Sequence, residues 1–274
     1  MFEGKRWWIT GASSGVGTAL AEALGKAGAR LILSGRNRPA LEALAQRIDG
    51  ETCVLPFEAT DFEQLPRVAD HAFRWAEKHG GGIDGLVNNA GISQRSLAVD
   101  TLFEVYQKVI DVDLLGPIAL TQALLPRMVQ AGGGHIVAIS SVAGIIGAPL
   151  RSAYSAAKHG LIGYHDSVRA ETEHQGMRVL VVAPGSVRTN VARNALTAEG
   201  KQRGVSDDII DNGMDPDMVA SQIVQALVAG KRELLVAEGM EAESVRLRRE
   251  DPDALFDAMT QLMAKGYAKR LNVE

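Results

Sequence analysis

Tyr154 and Lys158 stand four residues apart, and Ser141 precedes the tyrosine by thirteen, just after the apolar run HIVAIS at 135–140. On a helix, residues i and i+4 share one face about a turn apart. A serine at the end of a buried strand, followed by such a helix, can meet the pair in one cleft. Together these three types can move a proton to or from an oxygen. A free phenol, with a pKa of about 10, exchanges protons poorly near neutrality. An ammonium one turn away favours the phenolate, and a second cation would favour it further. Bringing a phenol to about 7 needs about 4 kcal/mol of differential stabilisation, which two positive charges in a partly dry cleft can supply. The serine hydroxyl would hold a substrate oxygen while the phenol gives or takes its proton. Tyr-x-x-x-Lys alone is short, and an amphipathic tyrosine beside a solvated lysine gives the same text. The surrounding sequence decides.

TGASSGVG (10–17) directly follows the apolar RWWIT (6–10) and opens a helical stretch. Gly11 permits a tight turn, and Gly15 and Gly17 permit close approach of backbone to a pyrophosphate and of helix to sheet. Ser13, Ser14 and Val16 share the turn, whose exposed N–H groups sit at the positive helix end, ready for an anion. The spacing is G-x-x-x-G-x-G rather than G-x-G-x-x-G. At the end of the second strand the chain reads LSGRN, with Gly35 and Arg36 and no carboxylate to accept from a ribose 2′-hydroxyl. A guanidinium suits a 2′-phosphate, so NADP(H) is the expected cofactor. The oxidised nicotinamide would also supply the second cation.

The elements that must position these groups read as alternating strands and helices. Strands are expected at 6–10, 30–34, 52–57, 83–89, 135–140, 177–183 and 233–237. Helices are expected at 15–27, 39–49, 61–78 with Asp61 as N-cap, 99–130, 152–174, 216–229 and 241–270. Apolar strands without alternation mean burial on both faces, hence a parallel sheet between helices. Residues 186–214 are polar and glycine-containing, a loose lid over a site. No repeat or linker divides the chain, so 1–274 is expected to be one domain, with 238–274 a helical extension.

At 274 residues, 46% hydrophobic and 23% charged, the chain can bury a core, and a net charge of −4 argues against nucleic acid. The single Cys53, in TCVLPF, is expected to be a buried strand thiol, and its lack of a partner suits a reducing, cytoplasmic setting. MFEGKRWWIT lacks a signal-peptide pattern, and no apolar run approaches the ~18 residues of a membrane span. The longest, 114–129, is broken by glycine, proline and polar residues. The six histidines have no ligand spacing, so no metal site is expected. His159 is expected to pack beside its helix, and Arg151 to rim a pocket or cap a loop. Leu255, Met259, Leu262, Met263 and Tyr267 at helical spacing suit packing on the chain's own domain or a subunit; a membrane-surface or substrate-entry role is the alternative.

TGASSGVG, NNAG (88–91), Ser141 with Tyr154-x-x-x-Lys158, and PGSVRT (184–189) stand in one order. Together they resemble a short-chain dehydrogenase/reductase of the ~250-residue type, over about residues 5–235. LLGPIALTQALLP through HIVAISS is most similar to the branch of 11β-hydroxysteroid-dehydrogenase-like enzymes and orphan reductases. The resemblance implies a single Rossmann-type, doubly wound α/β sheet in the order 3-2-1-4-5-6-7, with helices on both faces. It implies that Ser141 orients the substrate oxygen, Tyr154 is the acid/base, and Lys158 favours the phenolate and bonds the nicotinamide ribose. Asn88, Ala90 and Gly91 match the turn that supports the sheet and lines the cofactor. Pro184, Gly185, Val187 and Thr189 match the segment meeting the nicotinamide carboxamide. Related enzymes join through long helices, which implies a homodimer or homotetramer.

The implied activity is NADP(H)-dependent interconversion of a carbonyl and a secondary alcohol, on a bulky, apolar, steroid- or lipid-like small molecule. One departure stands out. Where the family usually has an asparagine that anchors a relay water, VIDVDLLG has Asp113. An ionised carboxylate accepts hydrogen bonds but donates none. Asp113 supports a second reading, a catalytically weak nucleotide-sensing or scaffold protein, against which the intact serine, tyrosine and lysine count. A third, a sugar-nucleotide epimerase or dehydratase, is disfavoured by the glycine spacing and the lack of a large C-terminal substrate domain. For the reductase reading, Asp113→Asn is expected to keep or raise steady-state turnover; a loss beyond about tenfold contradicts the relay argument.

Overall fold

Seven short apolar segments pair in parallel to build the sheet that carries the site. A computed structural model describes residues 1–271 and 273. The strands are β1 (Arg6–Ile9), β2 (Arg30–Leu33), β3 (Thr52–Val54), β4 (Gly85–Asn88), β5 (Gly134–Ile139), β6 (Met177–Pro184) and β7 (Glu233–Val236). Their order is 3-2-1-4-5-6-7, every pair parallel, as the family resemblance implied. Alternation sends successive side chains to opposite faces. Trp7, Ile9 and Leu31 pack on one face with α1 (Gly15–Lys26), α2 (Arg38–Ala45) and α8 (Pro216–Val228). Trp8, Ile32 and Leu86 pack on the other with α3 (Leu65–Lys78), α5 (Gly116–Gln130) and α6 (Ser152–Thr172). Both faces are covered, which is why the strands read as unbroken apolar runs.

Several boundaries differ from the sequence reading. Asp61 does not cap α3: it accepts from the Gln64 N–H at 3.3 Å in a preceding turn. The helix begins at Leu65 because Pro66 belongs in a first turn, where its missing N–H costs no hydrogen bond. Strand β3 stops at Val54, two residues before Pro56, and Cys53 on this edge strand is half-buried rather than buried; burial still raises its thiol pKa. The long helix starts at Phe103, as α4 (Phe103–Ile110), and runs through a π-helical turn at Asp111–Leu115 into α5. Contrary to expectation, this 28-residue rod is long and apolar enough to cross a membrane. Here its Leu120, Leu124 and Met128 are buried on the sheet.

The segment 186–214 is tied down rather than loose. Leu196 accepts from the Arg95 N–H at 2.9 Å and donates to Ser93 O at 2.8 Å, and the short α7 (Asp208–Asp211) follows. Beyond β7, α9 (Gly239–Glu250), α10 (Pro252–Ala264) and α11 (Tyr267–Arg270) fold back on the loop after β5. Val245 and Leu255 meet Val142 and Ile146, while Ala268 and Leu271 meet Leu150. Met259, Met263 and Tyr267 pack around them, which is the own-domain reading of this amphipathic stretch.

Trp7 lies opposite Gly85, and Gly85 lies opposite His135, whose ring stacks on the indole at 5.6 Å. A Cβ at Gly85 would enter the Trp7 ring. Gly85→Ala should therefore cost about 1–3 kcal/mol in urea unfolding, and an unchanged midpoint would contradict this packing.

Candidate active site

In a parallel sheet all the strands' carboxyl ends lie on one edge, and there the loops after β1, β4, β5 and β6 converge. Gly11 and Gly15 in the first loop have φ of 64° and 58°. A Cβ at Gly11 would lie 2.8 Å from the Ala90 Cα, and one at Gly15 2.8 Å from the Thr189 methyl. Glycine is required at both by conformation and by crowding. Ser14 is extended at the start of α1, makes no side-chain cap bond, and no acidic residue follows in the first turn. The helix N–H groups thus remain free to receive an anion. Ser13 sits beside Gly35, Val16 packs on the core, and Gly17 is buried against the turn.

The second loop is bonded to the first. Thr10 Oγ1 accepts from the Asn89 and Ala90 N–H groups at 3.0 and 3.1 Å. The Asn89 side chain donates to the carbonyls of Thr10 and Gly11 at 2.9 and 3.2 Å. Asn89, passed over in the sequence reading, is the clasp; its only signal was the second asparagine of NNAG. Asn88 faces away, donating to Thr121 Oγ1 at 2.9 Å and lying 3.3 Å from His165 Nε2. Its side chain braces α5 and α6 against the sheet.

The third loop brings Ser141 to α6. Ser140 Oγ donates to Lys158 O at 3.0 Å, fixing the strand end to the helix. Ser141 Oγ donates to Pro184 O at 3.3 Å and accepts from the Ala143 N–H at 3.1 Å. Lys158 Nζ lies 5.6 Å from the centre of the half-buried Tyr154 ring and donates to Ile139 O at 3.1 Å. It also faces Asp113 Oδ2 at 3.2 Å, with both side chains shut off from solvent. Oδ2 accepts no well-directed hydrogen bond, so this contact is ionic, while Oδ1 accepts from the Ile92 N–H at 2.8 Å. Burial pushes the Asp113 carboxyl above the ordinary carboxylate range, opposed by Lys158 and Ile92. Burial alone would lower the Lys158 ammonium, but Asp113 and Tyr154 outweigh it and raise it. Both charged ends meet a backbone dipole of the right sign, so the ionised pair is the state the geometry supports. Gly91 covers it: a Cβ there would lie 2.8 Å from Asp113 Oδ2 and 3.3 Å from Lys158 Nζ.

Three features near α6 had no signal in the sequence. Arg151, its N-cap, makes no side-chain cap bond; the buried Gln94 instead accepts from Ala153 N at 2.8 Å and Tyr154 N at 3.4 Å. Leu150, just before it, has φ of 64°, a strained value for leucine, and its carbonyl accepts from the Ser96 N–H. Arg95 and Asp207 form an ion pair at 3.1 Å, each 1% exposed, joined by Arg203 at 3.5 Å. Burial and Arg151 lower the Arg95 pKa to about 10, against the pull of Asp207. This pair fastens the 186–214 segment beside the site, and Leu196 from it packs with Tyr154.

Arg36 is exposed, with Glu58 at 4.0 Å. After β6, Gly185 and Ser186 are held by Glu241 of α9, which accepts from Ser186 N at 2.7 Å and its hydroxyl at 2.9 Å. Val187 is buried in the core, and Thr189 closes on Gly15. A cavity of about 560 Å³ borders Ser13, Ser14, Gly15 and Thr189 on the outer side of the glycine turn. A smaller one, about 270 Å³, lies between Lys5, Trp7, Asp84 and His135, at the strands' opposite ends. His159 is exposed, its Nδ1 2.8 Å from Ser155 O.

A doubly wound sheet with a glycine turn after its first strand, and a tyrosine and lysine on the helix after its fifth, defines a class of dinucleotide-linked oxidoreductases. The family described as short chain dehydrogenase matches residues 5–200, and the chain belongs to that family. Among curated relatives, dehydrogenase/reductase SDR family member 7B of Bos taurus is 39% identical over 266 residues, covering 94% of this chain and 81% of its own. The Drosophila melanogaster SDR family protein 7-like is 37% identical, covering 99% and 83%. A solved short-chain dehydrogenase from Streptomyces avermitilis is 30% identical with a TM-score of 0.78, covering 96% and 97%.

His165, fully buried behind the site, has its pKa lowered from 6.5 to about 4, first by burial, with the Leu161 carbonyl opposing. The folded chain therefore binds this proton more weakly than the unfolded one. Lowering the pH through about 6.5 towards about 4 protonates the unfolded chain first and removes stability, about 3 kcal/mol in all; below that the loss levels off. His165→Gln should lack this component when urea unfolding is compared at about pH 7 and about pH 4.5. Parallel losses in both proteins would contradict the assignment.

Proposed function

We propose that this oxidoreductase interconverts a carbonyl and a secondary alcohol with NADP(H), and that Tyr154 is its general acid/base. The observation that carries the reading is that Ser140, the neighbour of Ser141, fixes the end of β5 to Lys158 of α6, whose ammonium lies 5.6 Å from the centre of the Tyr154 ring. Gly11, Ser13, Ser14, Gly15, Val16 and Gly17 would hold the pyrophosphate, and Arg36 the 2′-phosphate. Arg36 suits this role because its partner Glu58 is distant and exposed, a pairing worth little. Ala90 and Gly91, braced by Asn88, would line the nicotinamide side, with Pro184, Gly185, Val187 and Thr189 opposite. When bound, the dinucleotide supplies or accepts the hydride.

The chain's own residues do the rest. Ser141 Oγ turns from the Pro184 carbonyl to the substrate oxygen and holds it. The Tyr154 hydroxyl gives that oxygen its proton in reduction and takes it back in oxidation. Lys158 would bond the ribose; with its charge paired to Asp113, the cation that favours the phenolate would be the oxidised nicotinamide. Leu196 and the fastened 186–214 segment exclude water and favour an apolar, bulky substrate. A homo-oligomer and a cytoplasmic setting complete the proposal. The second reading, a catalytically weak nucleotide sensor or scaffold, draws on one observation: Asp113 occupies the Lys158 ammonium.

Fluorescence titration with NADPH and NADH side by side tests the cofactor. NADPH should bind more tightly, and Arg36→Ala should weaken it at least about tenfold; equal affinities would overturn the assignment of Arg36. With a carbonyl substrate found by screening, Tyr154→Phe should lower turnover at least about 100-fold. Retained turnover would remove Tyr154 from the proton step.

A further inference from the structure

The buried pair Asp113–Lys158 is a cation cancelled by an anion. Its two side chains are 0% and 4% exposed, its charges face each other at 3.2 Å, and each end has one backbone partner, Ile92 N–H or Ile139 C=O. Gly91 packs against both charged groups, leaving no room for another side chain to intervene between them. His165, which also feels the Lys158 charge, is held neutral by its own burial.

We propose that Asp113 sets which redox state of the nicotinamide this site prefers, by removing the positive charge that Lys158 would otherwise present. The inference rests on the reading of Lys158 as the ribose-binding lysine. The oxidised nicotinamide ring is a cation and the reduced ring is neutral. An uncompensated ammonium beside the ring repels the first and not the second, and in a sealed, weakly polar site that repulsion is poorly screened. With Asp113 ionised, the oxidised ring meets an electrically silent pair. The chain therefore retains oxidised cofactor better than one with asparagine at 113. A purely structural role for Asp113 would alter the affinity for both forms together. A charge role alters their ratio.

Calorimetric titration with NADP+ and NADPH, on three proteins, tests this. The ratio of dissociation constants, NADP+ over NADPH, should rise about tenfold in Asp113→Asn. It should return to the wild-type value when Lys158→Met is added to Asp113→Asn, since that site is again uncharged. An unchanged ratio in Asp113→Asn overturns the proposal. Should Asp113→Asn alone fail to fold, the double variant still decides. A ratio within about threefold of wild type supports a silent pair, and a departure of about tenfold overturns it. Failure of the wild type to bind either nucleotide would instead sink the reading of the site as a dinucleotide cleft, a distinct result.

Discussion

An ammonium withdrawn from water needs a compensating charge, and much of this site is arranged around the one that Lys158 carries. Asp113 supplies the anion, from a π-helical turn in the long helix, a place where one extra residue per turn re-aims a side chain inward. Ile92 and Ile139 complete the shell around the two charges, and Gly91 closes it because any side chain there would strike both. Removing one member of such a pair leaves the other buried and uncompensated, which is far more costly than removing both. The pair thereby couples the loop after β4, the end of β5 and two helices.

The sheet makes this convergence available. Parallel strands deliver their carboxyl ends to one edge, and the hydrogen bonds there run between loops rather than within them. Thr10 and Asn89 clasp the first loop to the second, Ser140 fastens the third to α6, and Glu241 reaches from the C-terminal helices to hold the fourth. Gln94 then caps α6 from a loop 59 residues away, so Tyr154 is set by the same network that positions the glycine turn. The strain at Leu150 is contained between the Ser96 N–H and the packed C-terminal residues. Arg95 and Asp207 extend the network to the segment over the site.

What the sequence made legible was local or periodic. Burial on both faces writes an unbroken apolar run for each strand, so the strands and their parallel pairing were readable, while their order came from the family resemblance. The glycine turn and Tyr-x-x-x-Lys are short spacings whose geometry follows from one turn or one helix. Boundaries failed where a single residue outweighed the pattern, as Pro66 did for α3 and Pro56 for β3. The pairings of Gln94 with Ala153 and of Arg95 with Asp207, 59 and 112 residues apart, have no local trace. Asp113 was visible as a departure, but its partner was not, because only the fold brings α6 to the π-helical turn. The polar text of 186–214 suggested a loose lid for the same reason: its tethers lie in other segments.

The most direct test of Tyr154 and Lys158 as the centre of a dinucleotide cleft is a crystal structure of the wild-type chain grown with NADP+. The pyrophosphate is predicted on the N–H groups of the Gly11–Gly17 turn, with the nicotinamide ribose within hydrogen-bond reach of Tyr154 and Lys158. Nucleotide bound elsewhere, or a ribose out of reach of both side chains, would contradict the site described here.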